Sequence, residues 1–111
     1  MEANVQKLID WLEARKDTTL VIEKRELDDL DTVHFKLETV DYRNADDVID
    51  DYLDSAVILR GTGNTLNADG ELVPLPQPGY ELAVSGLQLH EVSEAKVDLQ
   101  TSRAKYSLAV S

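Results

Sequence analysis

The sequence contains no cysteine. Disulfide scaffolds, thiolate metal centres and cysteine nucleophiles are thereby excluded. Aromatic residues are scarce, at 5% of the chain: Trp11, Phe35, Tyr42, Tyr52, Tyr80 and Tyr106. The core must therefore be built mainly from leucine, valine and isoleucine. Bases are also in short supply. Eleven lysines and arginines face 22 aspartates and glutamates, for a net charge of −11. The longest basic runs are the pairs Arg15-Lys16 and Lys24-Arg25, too short for the stripe that neutralises a phosphate backbone. Direct binding to nucleic acid or to an anionic membrane is not expected. No apolar run approaches the roughly 20 residues that span a bilayer. Met1-Glu2-Ala3-Asn4 lacks the basic stretch and apolar run of a signal peptide. A cytoplasmic protein is the expectation.

The chain has 111 residues, the size of one domain with one compact core. Residues 3–16 read as an amphipathic helix. Val5, Leu8, Ile9 and Leu12 recur at the spacing that places apolar groups on one face, and Trp11 flanks that stripe. Arg15 and Lys16 near the end suit the helix dipole. Residues 18–24 are rich in β-branched side chains and read as a strand, followed by a polar turn over 26–31. A cleaner strand spans 32–40, where Val33, Phe35 and Leu37 alternate with His34, Lys36 and Glu38.

Residues 44–54 read as a second, short helix, with Asn44 as N-cap and Asp46 and Asp47 in the first turn. Residues 55–60 form a near-continuous apolar strand, and Gly61-Thr62-Gly63-Asn64 a turn or bulge. Asn67-Ala68-Asp69-Gly70 carries the Asp-Gly signal of a tight hairpin. Pro74, Pro76 and Pro78 imply an extended loop or a blunted sheet edge. Residues 80–92 read as one long strand bent near Gly86. Residues 95–110 form one strand or two, with a turn near 101–103. Strands joined by short turns imply antiparallel pairing. The expected fold is α+β: a mostly antiparallel, curved sheet of five or six strands carrying an N-terminal amphipathic helix and a second short helix. The alternative is a partly open barrel. All of it forms a single domain over residues 1–111.

No catalytic constellation emerges. His34 and His90 both fall at outward-reading strand positions, and no local motif ties either to a nucleophile or carboxylate. The segment 65–70 places Asn67, Asp69 and Gly70 at the third, fifth and sixth positions of an EF-hand loop. It lacks a carboxylate at the first position, and Pro76 stands where the bidentate glutamate belongs. Gly61-Thr62-Gly63 begins like a dinucleotide fingerprint, but Leu66 replaces the third glycine. Ser55, Ser85, Ser102 and Ser107 lack a nucleophile-elbow context. No metal or cofactor is expected.

The most unusual feature is the acidic face of the second helix. Asp46, Asp50 and Asp54 stand four apart, as do Asp47 and Asp51, and like charges at that spacing oppose helix formation. The plainer reading is a solvated face. The sharper ones are a docking face for a basic protein partner, or a mimic of nucleic-acid phosphates. Trp11, beside the helical stripe, and strand 104–110, if it lies at an edge, suggest a weak homodimer. The leading expectation is a non-catalytic interaction module that binds itself or another protein, with Asp46, Asp47, Asp50, Asp51, Asp54 and Trp11 as contact residues. The first alternative is a small-ligand-binding protein or minor enzyme, with Tyr42, Tyr52, Tyr80 and His90 lining a pocket between sheet and helix. The second is an acidic inhibitor that imitates nucleic acid.

Overall fold

The computed structural model describes residues 3–44, 55–67 and 69–111. One helix and eight strands occupy them: α1 (Ala3–Glu13), β1 (Thr19–Glu26), β2 (Asp29–Arg43), β3 (Ala56–Leu66), β4 (Leu72–Pro74), β5 (Gly79–Ala83), β6 (Gln88–Val92), β7 (Lys96–Gln100) and β8 (Lys105–Val110). The second helix expected over 44–54 falls on residues 45–54, which lie outside the described ones.

Helix α1 buries Val5, Leu8, Trp11 and Leu12. The helix stops at Glu13 rather than at residue 16, because Asp17 takes a left-handed φ of 67° and its N–H leaves the helix to bond Leu37 O at 2.7 Å. Arg15 lies past the last turn but still serves the helix end: its Nη1 donates to Trp11 O at 2.7 Å.

All strand pairs are antiparallel, in the order β4-β3-β2-β1-β8-β7-β6. β5 also pairs with β3, along Ala56 to Arg60, beyond the Asn64–Leu66 stretch that β4 covers. The chain thus passes from β5 on one edge to β6 on the other through residues 84–87 alone. A flat path β5-β3-β2-β1-β8-β7-β6 has six inter-strand gaps, about 29 Å at ordinary spacing. Five residue steps from Ala83 to Gln88 reach about 17 Å at most. The sheet must therefore curl strongly, although its two edges are not bonded to each other and it stays open. Its concave side holds α1 over a core that includes Leu20, Ile22, Phe35, Leu37, Leu59, Leu82 and Leu108.

Eight strands stand where five or six were expected, and two segments supply the excess. Residues 80–92 are two strands, because Gly86 at φ 71° turns the chain and carries it from one edge to the other. Residues 95–110 take the two-strand form of the expectation, separated by a turn in which Thr101 Oγ1 accepts the Arg103 and Ala104 N–H groups at 3.2 Å. Residues 72–74 pair with β3 despite Pro74, since an edge strand tolerates a missing donor. The Asp-Gly hairpin is present and is closed by Asn67, whose Oδ1 accepts Asp69 N and Glu71 N at 2.9 Å.

Two further segments differ from expectation. The polar turn over 26–31 shrinks to Leu27 and Asp28, because Lys24 and Arg25 pair across to Asp31 and Leu30 and extend the ladder. Leu27 takes φ 55° at the tip. Of the turn or bulge expected at 61–64, the turn is absent, since Gly61 and Gly63 lie inside β3, and the bulge is present on the facing strand. At Gly61 the β2 register shifts by one residue between Leu37 and Thr39, a bulge at Glu38. A Cβ on Gly61 would sit 2.0 Å from Lys36 O, and one on Gly63 2.7 Å from Phe35 Cδ2.

Candidate functional site

Alternation along the strands decides what faces outward. On β1, Leu20 and Ile22 are buried, so Val21, Glu23 and Arg25 point to the convex side. On β8, Tyr106 and Leu108 are buried, so Lys105 and Ser107 point outward. The register sets Arg25 opposite Lys105, and Lys105 opposite Gln100 of β7. Two cations therefore meet face to face on adjacent strands. Among the described residues neither makes an ion pair, whereas Lys16, Lys24, Arg43, Arg60 and Lys96 each do. Arg103, from the β7–β8 turn, adds a third cation. Together they line a hollow of about 290 Å³ with Leu27, Gln100, Thr101, Ser102 and Ala104. Among the described residues no carboxylate lines it, but Arg25, Gln100 and Lys105 also line the adjoining groove with Glu23 and Asp98. One rung along the sheet, in an adjoining groove, Glu23 and Asp98 flank Ser107.

Beside the cations lies an apolar row. Val33 points inward, so Leu30 points outward. Thr65 pairs with Val33, so Leu66 also points outward, and Leu72 stands opposite Leu66. Four of the six exposed large hydrophobic residues among those described gather at this end: Leu27, Leu30, Leu66 and Leu72, at 94%, 53%, 48% and 54% exposure. Across the convex face the order runs from Leu72 and Leu66, through Leu30, to Arg25 and Lys105 on neighbouring strands.

The residues singled out from sequence are dispersed. Asp46, Asp47, Asp50, Asp51, Asp54 and Tyr52 lie outside the described residues. Trp11 is buried: its Nε1 donates to Ser93 O at 2.7 Å, and the Arg15 guanidinium covers the ring at 4.0 Å from its centroid. It offers no free face for a partner. Strand 104–110, taken as a candidate edge, lies between β1 and β7 with both ladders filled. Tyr42 is half-buried against the core. Tyr80 meets Phe35 edge-on at 6.5 Å and lines a concave mouth of about 380 Å³ with Lys24, Asp31, Thr65 and Gln77. His90 lies in the convex groove with its Nε2 3.2 Å from Gln100 Oε1. Tyr80 and His90 thus line separate hollows.

Burial pushes the Tyr80 phenol well above its ordinary range, with smaller contributions from Tyr106 and the Asp31 carboxylate. Burial also raises Tyr106, and the nearby Lys24 ammonium opposes that rise. Both phenols stay neutral near pH 7. Among the described residues no three histidines, aspartates or glutamates converge to hold a metal ion. The described partner of His90 is an amide, which is neither acid nor base.

A family model for YmzB-like proteins matches residues 1–111. The chain belongs to the YmzB-like family. The uncharacterized protein YmzB of Bacillus subtilis (strain 168) is 34% identical over 111 residues, covering 94% of this chain and 92% of that protein. No solved structure matches. The YmzB names carry no activity, substrate or partner.

Sequence reasoning missed the cation cluster and the leucine row. Strand alternation alone places Arg25 and Lys105 outward. Their opposition depends on a β1–β8 register between residues about 80 apart in the chain, which no local pattern encodes.

Proposed function

We propose that the chain is a non-catalytic interaction module, and that it binds another protein through the leucine-rich end of the convex face. The observation that carries this reading is the convergence of Leu27, Leu30, Leu66 and Leu72 beside Arg25, Arg103 and Lys105. Scattered exposed leucines need no explanation, but a contiguous apolar patch with a polar rim marks an interaction surface. The partner that fits is a segment combining apolar side chains with acidic ones. Its leucine-like groups cover the row, and its carboxylates or other anions meet the cations. A second copy fits less well. Each copy carries a charge of −11, so two copies repel at long range, and neither Trp11 nor β8 is open to pair.

The test is capture from a lysate of the source cells, comparing the wild-type chain with Leu66→Asp/Leu72→Asp. Both positions are exposed, so the variant should fold. A partner held by the wild type and lost from the variant, cross-linked through an acidic segment, supports the proposal. Equal capture by both chains overturns it. Capture of the chain by itself, lost in the variant, moves the occupant to a second copy and also overturns it.

A further inference from the structure

We infer that the convex groove beside the leucine row takes an extended segment of the protein partner in which acidic and basic side chains alternate. The inference rests on the docking proposal for its class of partner, and adds the order of charges that the partner carries. Val97 and Leu99 are buried, so Asp98 and Gln100 of β7 point outward together with Glu23, Arg25, Lys105 and Ser107. The ladders then draw two parallel lines across β2, β1, β8 and β7. One runs through Leu30, Arg25, Lys105 and Gln100, the other through Thr32, Glu23, Ser107 and Asp98. Residues of both lines surround a groove of about 490 Å³. Its charged walls are basic along the first line and acidic along the second. Among the described residues Glu23, Arg25 and Lys105 make no ion pair, and Asp98 meets Lys96 through Oδ2 at 3.3 Å.

Charge and width select the occupant. A purely acidic segment suits Arg25 and Lys105 but confronts Glu23, Asp98 and a chain of net charge −11. A purely basic one confronts Arg25 and Lys105. Like charges set against each other across an interface reject a partner. Residues two apart on a strand are about 6.8 Å apart, so the two lines lie closer together than the ~10 Å diameter of a helix with its side chains. An extended chain fits, and its successive side chains point to opposite sides. Alternation therefore turns every acid toward Arg25 and Lys105 and every base toward Glu23 and Asp98. From β2 to β7 the groove crosses three inter-strand gaps, about 14 Å, or about four extended residues. Leucines at one end of the segment meet Leu30 and the leucine row.

The test titrates synthetic peptides into the isotope-labelled full chain, followed by NMR at constant ionic strength. The first peptide has two leucines followed by glutamate and lysine alternating over four positions. The second has the same residues with both glutamates before both lysines. The third has two leucines and four glutamates, and the last is the glutamyl-lysine dipeptide. β1, β8 and β7 each have both ladders filled, so the occupant shows as chemical-shift change at Glu23, Arg25, Asp98 and residues 105–107 rather than as slower exchange. We expect saturable shifts there with the alternating peptide, which should bind about fivefold tighter than the block order, the worth of misplaced exposed ion pairs. Glu23→Gln, at an exposed position, should weaken the alternating peptide about threefold and leave the all-glutamate peptide no weaker. Arg25→Gln should weaken both. Equal binding of the two charge orders overturns the inference, as does a dipeptide that binds as tightly as the alternating peptide. So does a Glu23→Gln chain that holds the alternating peptide undiminished. Each of these leaves the docking proposal standing, because that proposal is read from capture by Leu66→Asp/Leu72→Asp and this one from the order of charges in peptides.

Discussion

Arg25 on β1 and Lys105 on β8 face one another across an antiparallel ladder, and among the described residues neither is paired with a carboxylate. In a chain of net charge −11, acids to neutralise them were abundant. Lys105→Gln should therefore stabilise the isolated protein by a few tenths of a kcal/mol at low salt. The gain should vanish at high salt, where exposed charges are screened. Urea denaturation at low and high ionic strength checks both the sign and the salt dependence.

Gly61 and Gly63 should separate sharply on substitution by alanine. At Gly61 the new Cβ meets the Lys36 carbonyl oxygen, which is backbone, and the φ of 155° disfavours any side chain. Gly61→Ala should cost several kcal/mol or prevent folding. At Gly63 the neighbours are the Leu75 and Phe35 side chains, which can shift. Gly63→Ala should cost about 1–3 kcal/mol, the ordinary range for overpacking. Denaturation midpoints of the two variants give the comparison.

These glycines also show what was legible in the sequence and what was not. Gly61-Thr62-Gly63 read as a turn or bulge because glycine marks either; the bulge is there, on the facing strand, and only the packing of β2 and Leu75 against β3 reveals the close approach. The N-terminal helix was legible because Val5, Leu8 and Leu12 repeat at helical spacing within one segment. The polar turn at 26–31 was overextended because acids are poor strand formers, while the Lys24–Asp31 and Arg25–Leu30 pairings that carry them are tertiary. Trp11 looked like a contact residue because its distant acceptor, Ser93 O, is supplied by the β6–β7 turn. Local periodicity reaches as far as an element; register and curvature decide which elements meet.

Tyr80 gives a pH dependence of defined sign. Its phenol titrates well above the ordinary value of 10 in the folded chain, chiefly through burial. The neutral form is thus favoured by folding. Its contribution is fully present below pH 10. It is lost as pH rises from there through the folded-state value, because the unfolded chain releases the proton first. Tyr80→Phe should flatten that alkaline slope without altering the pH 7–9 plateau slope. Stability measured against pH for both chains checks it; identical alkaline slopes would place the Tyr80 hydroxyl in water.

The central claim is that the leucine-rich end of the convex face receives a protein partner. Amide hydrogen exchange of the chain, alone and with the captured partner, tests it most directly. The account predicts new protection confined to the β1–β2 turn, to Leu30, and to the β3–β4 hairpin around Leu66 and Leu72. Protection at the concave mouth near Tyr80 or along β6, with the leucine end unchanged, would contradict it.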